Sequence, residues 1–102
     1  MTRHGYHPEA LLEFAEATNY YLREAPPGVA EAFVAMIETA VEAVCTAPKR
    51  WRVLEDSEIR RYVLRRFPYV LYYRYETEPD RVTIYAVMHC SREPGYWKSR
   101  ID

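Results

Sequence analysis

Between Glu58 and Trp97 the chain sets seven arginines, Arg60, Arg61, Arg65, Arg66, Arg74, Arg81 and Arg92, among seven tyrosines, Tyr62, Tyr69, Tyr72, Tyr73, Tyr75, Tyr85 and Tyr96. Guanidinium groups grip carboxylates and phosphates through paired N–H donors, so this stretch is chemically suited to an anionic partner, either nucleic acid or an acidic peptide. The charge distribution points the same way. Residues 1–48 carry two arginines against seven glutamates, a net of −5, whereas residues 49–102 carry twelve basic against eight acidic side chains, a net of +4. The same cations also fit a plainer role, as solvated sheet edges that discourage aggregation.

Other reactive groups are sparse. Cys45 and Cys90 are the only cysteines, one expected in a helix and one at a strand end, and they read as packed thiols rather than a disulfide or metal pair. His4, His7 and His89 lack the spacing of a zinc site. Nothing in this set calls for a metal or other cofactor. At 102 residues, 49% hydrophobic and 28% charged, the chain has the make-up of one globular domain spanning residues 1–102. No apolar run approaches the roughly 20 residues of a membrane span, and Met1-Thr2-Arg3-His4-Gly5 has no signal-peptide core, so no membrane partner and a cytoplasmic location are expected.

The elements that must position the arginines follow from periodicity. Arg3 to His7 is a short extended segment, and Pro8 sits where a missing N–H costs a helix nothing. Leu11, Phe14, Ala15, Thr18, Tyr21 and Leu22 recur at three and four residues, which predicts a helix to about Glu24. Glu9, Glu13 and Glu16 fall in its early turns, where they suit the helix dipole or face water. After Ala25-Pro26-Pro27-Gly28 a second helix is expected from Val29 to about Ala47, with Val29, Phe33, Met36, Ile37, Ala40, Val41 and Val44 on one face. The short connection makes the pair an antiparallel hairpin.

Lys49 to Ser57 is an irregular connection in which Trp51 serves as an anchor to the core. Three strands are then expected, Ile59 to Leu64, Tyr69 to Glu76 and Arg81 to Cys90, joined through Arg65-Arg66-Phe67-Pro68 and Thr77-Glu78-Pro79-Asp80. The order β, αα, βββ implies an α+β domain: a short N-terminal strand and an antiparallel helical hairpin packed on a mainly antiparallel four-stranded sheet. One sheet face must cover the helices. The other is expected to be an open, half-apolar surface of Tyr and Arg.

This arrangement resembles the RelE/ParE superfamily of bacterial type II toxins. The residues that carry the resemblance are Arg61-Tyr62-Val63-Leu64-Arg65-Arg66-Phe67-Pro68-Tyr69-Val70-Leu71-Tyr72-Tyr73-Arg74, Val82-Thr83-Ile84-Tyr85-Ala86-Val87-Met88-His89 and Arg92-Glu93-Pro94-Gly95-Tyr96-Trp97. It covers nearly the whole chain and implies a growth-inhibiting, plasmid-stabilising toxin held by a cognate antitoxin, whose acidic C-terminal segment would complement the arginines.

Two activities are associated with the family. Ribosome-dependent messenger-RNA endonucleases use basic residues with a Tyr or His, without metal, to activate a 2′-hydroxyl and neutralise charge on the phosphate. For that activity the resemblance implies Arg61, His89, Arg92 and Tyr96 as catalytic groups, with Arg61 and Arg65 holding phosphate. Yet Val70 stands where family nucleases often carry a strand arginine, and Lys49 and Lys98 are the only lysines. ParE-like members lack the nuclease constellation and poison DNA gyrase by binding it. The Phe67-Pro68-Tyr69 lead-in and long helical hairpin favour that branch, with Arg60, Arg61, Arg65, Arg66, Arg74, Arg92, Tyr96 and Trp97 as target contacts. An inactive member that only binds antitoxin is the third reading.

Overall fold

The chain opens with a short strand, β1 (Arg3–Tyr6), and turns at His7 into helix α1 (Pro8–Glu24). The computed structural model describes residues 2–54 and 57–101; Glu55 and Asp56, inside the expected irregular connection, lie outside it, as do Met1 and Asp102. His7 caps α1, its Nδ1 accepting the Glu9 N–H at 3.1 Å. Past Pro26 and Pro27, Gly28 adopts φ +94°, a conformation that a side chain makes costly, and α2 (Val29–Thr46) begins. The sheet is completed by β2 (Ile59–Val63), β3 (Tyr69–Glu76) and β4 (Arg81–His89), and a 3-10 helix, Tyr96–Arg100, closes the chain. The middle of the three expected strands has the expected bounds, and the other two end one residue early, leaving Leu64 and Cys90 outside them.

Strand order is β1-β4-β3-β2, with β1 parallel to β4 and the other pairs antiparallel. The sheet is therefore mixed, and the α+β arrangement of helical hairpin on sheet is as the element order implied. A bulge interrupts the β3–β4 pairing: Tyr72 faces Ala86 and Tyr73 faces Ile84, so Tyr85 is an extra residue on β4. Consecutive residues Tyr85 and Ala86 consequently both reach the sheet face away from the helices.

Apolar side chains collect on both sheet faces. On the helix side Phe33, Ile37, Val44, Leu71, Tyr73 and Ile84 form the main core, all fully buried. Phe33 sits among Phe14, Tyr21, Phe67 and Tyr69, with ring centroids 5.1–5.9 Å apart. Trp51 packs on Tyr62 at 4.9 Å and fixes the connection after α2, while Arg60 donates to the Lys49 and Trp51 carbonyls.

Two expectations are corrected here. The far face of the sheet is not an open tyrosine surface: Ile59, Val70, Tyr72, Ala86 and Met88 are buried there with Trp97, partly beneath the 3-10 helix. Tyr69 and Tyr73 face the helices and are buried in the main core. On α1 the inward stripe is Ala10, Phe14, Ala17 and Tyr21, whereas Leu11 and Leu22 are 53% and 62% exposed. The stripe is rotated because small residues let the helix approach β4 closely, leaving the larger aliphatic residues outside.

Candidate functional site

Helix α1 places Glu13 one residue before Phe14, on the side that faces β4 rather than water, and its side chain is only 11% exposed. Strand β1 pairs with β4 only as far as Ile84. Beyond that point the Val87 N–H finds no strand partner and donates instead to Glu13 Oε1 at 3.0 Å. The carboxylate thus takes over where β1 stops.

The C-terminal segment supplies the rest of the cluster. Gly95, at φ +84°, turns the chain into the 3-10 helix. Tyr96 Oη donates to Glu13 Oε2 at 2.5 Å, and Arg100 donates end-on through both terminal nitrogens, Nη1 to Oε1 at 3.0 Å and Nη2 to Oε2 at 2.8 Å. Arg100 Nη1 also reaches the Tyr85 carbonyl, which the bulge presents at 2.8 Å. Arg92 lies over the Tyr96 ring at 3.8 Å, with a guanidinium nitrogen 3.8 Å from Glu13 Oε2, and remains 53% exposed. Burial opposes ionisation of Glu13, but the hydrogen bonds from Arg100, Tyr96 and the Val87 N–H outweigh it and hold the carboxyl below its ordinary range. Burial, and then the bond to Glu13, push the Tyr96 phenol well above its usual value, so at neutral pH it keeps its proton and acts as a fixed hydrogen-bond donor.

These groups back an open cleft of about 300 Å³ whose walls include Tyr20, Tyr69, His89 and Arg92. His89 stands edge-on to Tyr69 at 5.1 Å, and its Nδ1 accepts the Ser91 N–H at 3.0 Å. Of the four residues assigned to catalysis by resemblance, three, His89, Arg92 and Tyr96, meet here. Arg61 does not. It lies two residues from Ile59 on β2, opposite Tyr72, and so belongs to the far face of the sheet.

The remaining expected contacts scatter. Arg65 and Arg66 are exposed in the β2–β3 turn. Arg74 pairs with Glu58 at 3.0 Å, and Arg60 is occupied by backbone carbonyls. Trp97, expected at a target surface, is 3% exposed and stacks on Tyr72 at 4.6 Å, where it covers apolar sheet residues. Glu13 and Arg100 are the two cluster residues that sequence reasoning missed. Arg100 follows Tyr96 by four residues, a visible cue; Glu13 is 87 positions away from it and looks like any solvated helix glutamate.

A second surface lies on the outside of the helical hairpin. A shallow groove there is lined by Leu22, Ala30, Val34 and Ala35 and flanked by Glu31 and Glu38. No helix among the described residues is long and apolar enough to cross a membrane.

Comparison with known proteins supplies a family. No curated protein matches the sequence. Among solved structures the chain is similar to one described as the chromosomal ParDE TA system from P. aeruginosa, with a TM-score of 0.74 and 18% identity, covering 87% of this chain and 96% of that one. It is also similar to the isolated RelE toxin of E. coli, with a TM-score of 0.63 and 18% identity over 97% and 95% of the two chains. At that identity the likeness shows a shared fold. Residues 5–94 match the family model described as the ParE toxin of the type II toxin-antitoxin system, parDE, and the chain therefore belongs to the ParE toxin family.

Proposed function

We propose that this chain inhibits growth by binding and poisoning DNA gyrase, is neutralised by a cognate antitoxin, and performs no chemistry of its own. The observation that carries this reading is the division of the nuclease candidates. Arg61 projects from β2 on the far face of the sheet, whereas His89, Arg92 and Tyr96 meet in the cleft beside α1, where Tyr96 reaches round from the far-face core to Glu13. Within that cleft Tyr96 is committed to Glu13, which also draws Arg92 towards it. A phosphodiester cleaved by general acid–base catalysis needs an acid and a base on opposite sides of one phosphate, both free to exchange protons. Val70, in place of a strand arginine, is buried in the far-face core and contributes no charge. Exposed Arg65 and Arg66 serve on this reading as target contacts.

The antitoxin reading is supported by the surface outside the hairpin. Its apolar groove between Leu22 and Val34 suits the apolar face of a segment that folds on binding, while the acidic borders at Glu31 and Glu38 direct that segment's acidic side chains to the arginines elsewhere. The deciding experiment adds purified toxin to gyrase and relaxed plasmid, and follows supercoiling and linearised DNA after detergent treatment. Accumulation of cleaved DNA, with amino-acid incorporation continuing in cells that filament, is the expected outcome. Immediate arrest of incorporation with ribosome-dependent messenger-RNA fragments would overturn the reading in favour of an endonuclease of the kind to which the RelE-like fold is also compatible.

A further inference from the structure

Five donors converge on the Glu13 carboxylate: the Val87 N–H, the Tyr96 hydroxyl, both terminal nitrogens of Arg100 and, at longer range, Arg92. They come from β4 and the C-terminal segment, while the acceptor comes from α1. Without Glu13 these groups would form a ready-made receptor for an oxyanion, because a backbone amide, a phenol and a guanidinium fork are the donors from which such sites are built. We infer that Val87, Tyr96, Arg100 and Arg92 form a carboxylate receptor in which Glu13 is an exchangeable internal occupant, replaced by an acidic side chain when a protein partner engages the cleft.

Charge favours a carboxylate over a phosphate. Arg100 meets Glu13 through two parallel bonds of 3.0 and 2.8 Å, a fork that fits either anion, so the choice falls to the surrounding charges. Glu16 lies on the cleft wall, where it repels a polyanionic backbone more than a single acidic side chain. Arg92 and Arg100 share the carboxylate of Glu13, with Glu9 acting on Arg100 from farther off, and Arg92 stays half-exposed at the cleft. An incoming carboxylate meets Arg92 first and Arg100 after Glu13 swings aside. The partner then holds the segment Tyr96–Arg100 in place of α1. The receptor lies in the cleft alone and serves the same way whichever macromolecule the toxin targets.

The test is chemical rescue of Glu13→Ala. Thermal midpoints of the wild type, E13A and the double variant E13A/R100Q are compared in sodium chloride, formate, acetate and phosphate at equal ionic strength and neutral pH. Formate and acetate are expected to raise the E13A midpoint by several degrees, saturably, while moving neither the wild type nor the double variant. Should E13A fail to fold in chloride, the readout becomes recovery of its folded signal in formate, and absence of recovery overturns the inference. It is equally overturned if E13A responds no more than the wild type, if R100Q does not remove the response, or if phosphate alone rescues.

Discussion

Replacing Glu13 by Gln keeps the size and shape of the side chain and removes its charge, which isolates what the carboxylate contributes to the fold. Arg100 then stays in place, 11% exposed, with a neutral amide where its counter-ion had been. Removing one partner of a buried ion pair costs roughly 3–5 kcal/mol, and the residual water access here places the cost near ~3 kcal/mol. A chain of this size has about 5–15 kcal/mol in total, so the loss is a large fraction of it. With a urea slope of about 1.5 kcal/mol/M, the unfolding midpoint should fall by ~2 M.

The same energy is visible in the pH dependence of the wild type. Because the folded-state pKa of Glu13 lies below the ordinary value of 4.5, its contribution is complete above that value and is lost as pH falls through the folded pKa. E13Q should lack this part of the acid destabilisation. R100Q should also destabilise, and the double variant E13Q/R100Q should lose less than the two single losses combined, with a coupling above ~1 kcal/mol. A cost for E13Q below ~1 kcal/mol, or additive single losses, would refute the claim that this pair holds the C-terminal segment to α1.

Three further outcomes are expected. Burial pushes the phenols of Tyr6, Tyr69 and Tyr73 up to about 12, so ultraviolet titration should show them ionising well after exposed tyrosines; their contribution to stability, full below 10, should decline as pH rises towards 12. Phe33→Ala empties the centre of the aromatic cluster at a site with no exposure and should cost about 3–5 kcal/mol in urea unfolding. Gly28→Ala meets no atom within 4 Å but forces a side chain into φ +94°, so it should cost roughly 1 kcal/mol through backbone strain alone, with the folded spectrum unchanged.

Much of the architecture was legible before the structure because it depends on local patterns. The helical hairpin shows in the 3.6-residue spacing of Phe33, Ile37, Val41 and Val44, and in the proline-rich break at Pro26 and Pro27. The three later strands show in their β-branched and aromatic content and in the turns around Pro68 and Pro79. The rotation of α1 was not legible, since Leu11, Phe14, Thr18 and Leu22 make as good a stripe as Ala10, Phe14, Ala17 and Tyr21. Only the closeness required by β4 chooses between them. The same holds for Tyr72 and Trp97, which look like surface aromatics until the 3-10 helix folds over the sheet.

By itself, then, the sequence determined the element order, the α+β class and the resemblance that the family match later confirmed, because periodicity, turn chemistry and family motifs are written in neighbouring residues. Tertiary structure alone decided that Arg61 lies away from the cleft where His89, Arg92 and Tyr96 meet, and that Glu13, read as suiting the helix dipole or facing water, is the acceptor at the centre of the C-terminal cluster. The physical reason is distance along the chain. A hydrogen bond spanning 83 positions, from Tyr96 to Glu13, leaves no local trace. It exists because β1 stops at Tyr6, α1 crosses the free edge of β4, and the chain end returns to the same place.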